Sequence, residues 1–286
     1  MDMSIIASAR LRERPFEYTA NGVTVVLKAG RGVGATGQVD GDNSGKIYTA
    51  VNETQLRAII NEGDANTDLT GFCTTLVTNM EGNLSPSFEI TPFINSGSNQ
   101  DISSWDVSNV TTMRFMFMNA TAFNQPLNNW NVGNVTSMVS MFKNSIFNQP
   151  LNNWDVSSVT DMGSMFADAS SFNKPLDNWD VSSVTNFNNM FNGALLFNQS
   201  INNWNSSSAT TIAGMFSNTT AFNQPLNNWD VSNVTIMISM FFNAEAFNQD
   251  LSRWCVTNIG SVPFDFDTGA DAWVLPNSRP IWGTCP

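Results

Sequence analysis

Between Trp105 and Trp254 one pattern of apolar and polar positions is written repeatedly. The tryptophans at 105, 130, 154, 179, 204, 229 and 254 stand 24 or 25 residues apart, a period that marks stacked repeats rather than a single globular core. In one copy Leu127, Trp130 and Val132 are apolar while Asn128, Asn129 and Asn131 are polar. Trp130 and Val132 are two apart, so this stretch predicts a short strand with Asn131 on the opposite face. Val135, Met138, Met141 and Phe142 follow at helical spacing, and Thr136 offers a capping hydroxyl, which predicts a short helix or 3₁₀ turn. Phe147-Asn148-Gln149-Pro150 returns the chain to the next strand, where proline is tolerated because the connection donates no ladder hydrogen bond.

The expected fold class is therefore an α/β repeat solenoid, each coil one short parallel strand plus one short helix. No single copy can bury its own Phe, Met, Trp and Val side chains. Each is worth roughly 1.5–3 kcal/mol when buried, and stacking is what releases that energy. Strands on successive coils are expected about 4.7–4.9 Å apart, giving a parallel sheet about 30 Å long. The copy around Trp204 has Ser206 and Ala209 where others have valine and is the expected weak joint.

Two polar rows accompany the core. Asn124, Asn148, Asn173, Asn198, Asn223 and Asn248 recur without exception inside Phe-Asn-x, which fits an internal ladder bonding the connecting backbone; a ligand-contacting asparagine stripe is the alternative. Asp106, Asn131, Asp155, Asp180, Asn205 and Asp230 should line the outer strand face as a candidate binding row. Carboxylates stacked about 5 Å apart repel, which the interposed asparagines relieve, and such a row either stays solvated or recruits Ca²⁺.

Phe-Asn-Gln-Pro-Leu-Asn-Asn-Trp-Asp-Val-Ser-Asn-Val-Thr-x-Met-x-x-Met-Phe resembles the surface-protein repeat of about 25 residues related to BspA-like leucine-rich repeats, known as a mycoplasma-type lipoprotein domain of unknown function. The resemblance covers about residues 65–286. It implies right-handed coils, display outside the cell or on a particle, and adhesion, and it brings no catalytic residues. Asn21-Gly22-Val23-Thr24-Val25, Val33-Gly34-Ala35-Thr36-Gly37 and Ile47-Tyr48-Thr49-Ala50-Val51 resemble the leader that precedes such repeats, and Trp282-Gly283-Thr284-Cys285-Pro286 resembles their closing segment.

Residues 21–64 read as a small α+β cap over the first coil. Val23–Leu27 and Gly45–Val51 are expected strands, and Asn52-Glu53-Thr54-Gln55 looks like a capping box opening a helix with Leu56, Ile59 and Ile60 that stops at Gly63. The repeat region is expected over 65–254, with Asp68–Met80 a degenerate first copy and 81–97 an inserted, protruding loop carrying Pro86 and Pro92. Residues 1–20 form an N-terminal arm, with Arg10, Arg12 and Arg14 and no apolar run of signal-peptide length. Either a signal was removed or the protein reaches the exterior within an assembled particle, whose other subunits the arm contacts.

Composition narrows the partners. Twelve Lys and Arg stand against 24 Asp and Glu, net −12, with no histidine. No basic stripe exists to neutralise phosphates, which argues against nucleic acid and anionic membranes, and no apolar run is long enough to span a bilayer. Charged residues are only 13%, so Asn, Ser and Thr supply the solubility.

Three motifs bear on chemistry. Gly32-Val33-Gly34-Ala35-Thr36-Gly37 spells a dinucleotide fingerprint, yet turn residues and a strand follow where a helix should open. Asp40, Asp42 and Ser44 match the first half of a calcium loop, but its twelfth position is Val51 where a bidentate Glu belongs; a hairpin-type turn is the plainer reading. Asn109, Asn134 and Asn233 open N-x-Thr sequons as by-products of the repeat.

Residues 255–286 change character and are expected to form a C-terminal cap closed by a Cys255–Cys285 disulfide. That bond closes a loop of about 30 residues, worth roughly 3–4 kcal/mol by chain entropy, and points to an oxidising setting. Cys73 is then odd, a buried small residue rather than a nucleophile, since no histidine exists to activate it. Three functions compete: a non-catalytic displayed module binding a protein or glycan on a host or neighbouring surface, an architectural subunit of a virion or filament, and a polysaccharide-acting enzyme. The first is the expectation, without cofactor, in an extracellular, cell-surface or virion location.

Overall fold

Short β-branched and aromatic runs punctuated by glycine turns give the N-terminal region its strands. The computed structural model describes residues 14–41, 44–62, 67–84, 90–94, 97–276 and 278–286. Strand β1 (Phe16–Tyr18) pairs antiparallel with β2 (Val25–Leu27). Strand β3 (Thr36–Gly37) pairs antiparallel with β4 (Tyr48–Asn52), and β4 lies parallel to β5 (Phe72–Leu76). Helix α1 (Glu53–Glu62) follows β4 directly. Its capping box is complete: Gln55 donates its N–H to Asn52 Oδ1 at 2.9 Å, and Asn52 donates its N–H to Gln55 Oε1 at 3.2 Å. Phe16, Val25, Val39, Tyr48, Ala50 and Cys73 form a core of their own. The part of the expected arm that falls in β1 is thus built into the cap; residues 1–13 lie outside the described residues.

The expected loop at 81–97 contains a second hairpin, β6 (Asn83–Leu84) with β7 (Ile90–Thr91). Phe93 and Ile94 behind it are buried, and Ile94 donates to the carbonyl of Met116 at 2.9 Å. The segment is therefore anchored to the first coil rather than wholly protruding.

From residue 97 onward the chain departs from the expected class. It is not an α/β solenoid of strand–helix coils: α1 is the one helix among the described residues, and every strand lies before residue 92. The repeats are coils of turns, joined by single parallel bridges Thr112↔Ser137↔Asp161↔Asn186↔Thr211↔Ile236. The stretch expected to be helical runs differently. Met138, Ser140, Phe142 and Asn144 donate their N–H groups to Asp161, Gly163, Met165 and Ala167 of the next coil, while Met141 and Lys143 close four-residue turns onto Met138 and Ser140. No α-helical ladder forms.

The reason lies in two left-handed residues per coil. Ser140 has φ 53° and Asn144 φ 53°, and the pair recurs at 164 and 168, 189 and 193, 214 and 218, 239 and 243, and 265 and 269. An α-helix needs unbroken right-handed φ, and each left-handed L-residue costs energy unless it is Gly, Asn or Asp. Gly, Asn or Asp holds nine of these twelve positions, and Ser the three at 140, 164 and 239. The first coil is the exception, with Phe115 at φ 59° beside Asn119 at 58°.

Apolar side chains form continuous columns. Phe117, Phe142, Phe166, Phe191, Phe216 and Phe241 stack face to face at 5.3–5.9 Å with near-parallel rings. Trp154, Trp179, Trp204 and Trp229 stack at 6.3–6.5 Å. Each indole of the repeat column also has a hydrogen bond: Trp154 Nε1 donates to Leu127 O at 2.8 Å and Trp179 Nε1 to Leu151 O at 2.9 Å, and Trp105, Trp130, Trp204, Trp229 and Trp254 do likewise. In the copy around Trp204, Ser206 is buried but donates to Asp230 O at 2.9 Å, and Ala209 occupies the valine position without a polar penalty.

At the C-terminal end Cys255 and Cys285 are disulfide-bonded. Val256 donates to Thr284 O at 2.8 Å and Leu251 to Ser278 O at 2.8 Å. The tail therefore continues the stack for part of one more turn and is tied to the coil before it.

Candidate functional site

The asparagines of the Phe-Asn motif are half-buried and point along the stack. Asn124 Oδ1 accepts the backbone N–H of Asn148 at 2.9 Å, Asn148 that of Asn173 at 3.1 Å, and Asn173 that of Asn198 at 3.0 Å. Asn198 and Asn223 continue the row, and Asn248 ends it on the N–H groups of Val274 and Leu275. Asn99 begins it. Glutamines reinforce it: Gln199, Gln224 and Gln249 donate their amides to Asn173, Asn198 and Asn223 at 2.8–3.0 Å. With their oxygens committed to the next coil, these asparagines hold the coils together. Asn99 escapes the Phe-Asn motif because Ser98 precedes it, and the glutamine column is interrupted by Lys174.

The outer row flanks the tryptophans. Asp155 and Asp180 are exposed, as are Asn131, Asn205 and Asp230, whereas Asp106 is buried under the cap. Each closes a local turn through one oxygen: Asp155 Oδ1 accepts from Ser157 N at 3.1 Å and Ser157 Oγ at 2.6 Å, and Asp180 Oδ1 accepts from Ser182 N at 3.0 Å. The Ser182 side chain and then its backbone N–H hold the Asp180 carboxyl below the usual 3.8, and Ser232 does the same for Asp230. The second oxygen of Asp155, Asp180 and Asp230 is left for solvent or a ligand.

Two residues before this row stands another. Asn153, Asn178 and Asn228 are exposed, with side-chain amides that bond nothing else among the described residues. Their backbones are fixed from behind, since Asn153 N–H donates to Asn128 Oδ1 at 3.2 Å and Asn178 N–H to Asn152 Oδ1 at 3.0 Å. Asn203 differs, its amide donating to Asp177 O at 2.6 Å. At the N-terminal margin Asn21 Nδ2 reaches Asn129 O at 3.3 Å, so the cap covers part of the first coil. The open strip thus begins at Asn153 and presents amide beside carboxylate on the Trp154, Trp179 and Trp229 coils, with the Trp204 coil, which has Asn203 and Asn205, as a break between them. The period-2 relation of 153 to 155 around a buried Trp154 is the sequence signal that places both outside.

Other sequence candidates fall elsewhere. The Asp40 carboxylate is paired with the Lys28 ammonium, and Ser44 Oγ accepts the N–H of Lys46 at 3.2 Å. Asp42 lies outside the described residues. Among the described residues no three Asp, Glu, Cys or His side chains converge to hold a metal ion. Gly32–Gly37 runs into β3, not a helix. The Cys73 thiol is pushed up by burial and donates to Val25 O at 3.4 Å. The sequon asparagines spend their amides between coils: Asn134 donates to Ser108 O at 2.7 Å and Asn233 to Ser207 O at 2.8 Å. No helix among the described residues is long and apolar enough to cross a membrane.

No curated protein and no solved structure matches the chain. A family model does, twice, over residues 82–195 and 173–272. The two matches overlap by less than one repeat and together span 82–272, well over half of the chain. This chain belongs to the family described as Mycoplasma protein of unknown function, DUF285.

Proposed function

We propose that the protein is a non-catalytic recognition module displayed on a cell or particle surface, binding a polyhydroxylated glycan on a host or neighbouring surface along the Asn153–Asp155 strip. The observation that carries this reading is the in-register pairing of an unengaged amide with a half-engaged carboxylate at Asn153 and Asp155, Asn178 and Asp180, and Asn228 and Asp230, interrupted only by the Asn203–Asn205 coil. An amide both donates and accepts, and a carboxylate accepts. Neighbouring hydroxyls of a sugar need that combination. The net charge of −12 favours neutral or basic ligands over anionic ones. Family membership and a disulfide, which persists in oxidising compartments, agree with display outside the cell.

Screening the full chain on a glycan array tests the reading, with the triple variant Asn153→Ala, Asn178→Ala, Asn228→Ala beside it. Those amides bond nothing among the described residues, so the variant should keep its melting temperature and lose at least tenfold in affinity. Glycan binding untouched by the variant, or no glycan bound by the native chain, contradicts the assignment.

A further inference from the structure

The ladder between coils has a direction. The Ser140 N–H donates forward to Gly163 O at 2.9 Å, while the Val139 carbonyl, in the same peptide unit, accepts from Phe115 N at 2.9 Å. A planar trans peptide holds its N–H and C=O antiparallel, and no cis peptide is present among the described residues. Carbonyls of these units therefore face the N-terminal cap, and N–H groups face the C-terminal end. In the last coil Phe264, Phe266 and Thr268 accept from Ser239, Phe241 and Asn243. The N–H groups of Asp265, Asp267 and Gly269 consequently point away from the stack, and none of them finds an acceptor among the described residues. Asp265 at φ 49° and Gly269 at φ 79° keep the left-handed geometry of the preceding coils.

The flank of this open row is apolar. Phe264 is 76% and Val262 62% exposed, and Ile236 and Ile238 of the coil before are about half exposed. Hydrogen-bond register puts Phe264 beside Ile238, where the middle coils carry Gly163, Asn188 and Ala213. Asp265 and Asp271 add negative charge with no ion pair among the described residues, while Asp267 is held by Arg279 at 2.9 Å.

We propose that this end is a docking edge for a segment of another protein. The segment supplies a row of backbone carbonyls to Asp265, Asp267 and Gly269, an apolar side chain to Val262 and Phe264, and a basic residue to Asp265 and Asp271. Adding a strand-like segment to an open edge draws affinity from main-chain bonds and specificity from flanking pockets. A second copy of this chain is a poor occupant. Its own outward carbonyls at Asn79 and Glu81 are taken by Arg57, and two C-terminal ends would set donors against donors. To match the spacing of the row, the segment needs Gly, Asn or Ser where its backbone turns left-handed.

The test uses the full ¹⁵N-labelled chain and a synthetic peptide of the sequence Ser137–Ser145, which carries two left-handed positions and one lysine. The peptide should produce saturable amide shifts centred on Asp265, Asp267 and Gly269. The same peptide with Lys143→Glu, and the Phe264→Ser protein, should each bind at least tenfold more weakly. Shifts that ignore Lys143 and Phe264, or map to the Asn153 strip, overturn the proposal. So does concentration-dependent self-association that Phe264→Ser abolishes. Because it concerns a different surface, its outcome is independent of the glycan array.

Discussion

Arg57 donates its Nη1 N–H to the backbone carbonyl of Glu81 at 2.7 Å. The same guanidinium reaches Asn79 O at 3.4 Å and Asn79 Oδ1 at 3.1 Å, and lies 4.7 Å from the Phe93 ring. These carbonyls end the ladder on its N-terminal side, since Met80 and Gly82 donate forward to Thr112 and Arg114. Aligned peptides leave negative charge at a carbonyl end, as at a helix C-terminus, and Arg57 sits where a cation is favoured. Glu53, one turn earlier on α1, holds it at 3.0 Å. Hydrogen bonds to charged groups contribute about 1.5–3 kcal/mol. Arg57→Ala should therefore lower unfolding free energy by about 2–3 kcal/mol in urea titration, with Arg57→Lys intermediate.

The left-handed positions predict opposite signs for two substitutions. Gly214 has φ 60°, and an added Cβ would meet Asn189 Oδ1 at 2.2 Å. Gly214→Ala should destabilise by about 1–3 kcal/mol through backbone strain and the clash. Phe115, a bulky residue at φ 59°, stands where the other coils have Ser, Asn, Asp or Gly. A left-handed bulky residue costs about 1–2 kcal/mol, so Phe115→Asn should raise stability by about 0.5–1 kcal/mol despite losing the contact with Arg114, and differential scanning calorimetry reads both.

Asn198 accepts from Asn223 N and from Gln224 Nε2, both at 3.0 Å. Asn198→Ala strands both donors at a half-buried site and should cost about 1–3 kcal/mol. Hydrogen exchange should accelerate most at Asn223, the donor left behind.

The valine column offers a gain. Ala209 is fully buried where the other copies carry valine or isoleucine, and Ala209→Val adds two methyl groups at about 0.8 kcal/mol each before any packing strain. A higher melting temperature for Ala209→Val is the expected result.

Acid should weaken the outer row. Hydrogen bonds from the Ser182 and Ser232 side chains, then from their N–H groups, depress Asp180 and Asp230 in the folded chain. A group with a depressed folded pKa contributes stability above its unfolded value, lost as pH falls through the folded one. Melting temperature should accordingly drop as pH falls below about 4, and the double variant Asp180→Asn, Asp230→Asn should show a shallower decline over that window.

Much of the stack is visible in the sequence because copies inside one chain can be compared. The recurring Asn of Phe-Asn and the Trp spacing announce in-register neighbours, and Asn52 with Gln55 announces helix α1 of the cap. The helix expected in each coil misled for a physical reason. Four-residue turns, such as those closed by Met141 onto Met138, bury residues at i and i+3 just as a helix does, so spacing alone does not separate them. The separating signal is the Ser, Asn, Asp or Gly at 140, 164, 189, 214 and 239, and again at 144, 168, 193, 218 and 243. In a single copy these look like ordinary surface positions. The unengaged amides of Asn153, Asn178 and Asn228 were equally hidden, because their neighbours Asn128 and Asn152 have the same side chain with a different task.

Scalar coupling through hydrogen bonds, measured by NMR on the isotopically labelled chain, tests the coil geometry most directly. Couplings from the Ser140 amide to the Gly163 carbonyl carbon and from Phe142 to Met165 are predicted, repeated in each coil. Couplings from Phe142 to Met138 within one coil, the signature of an α-helix, would contradict the account.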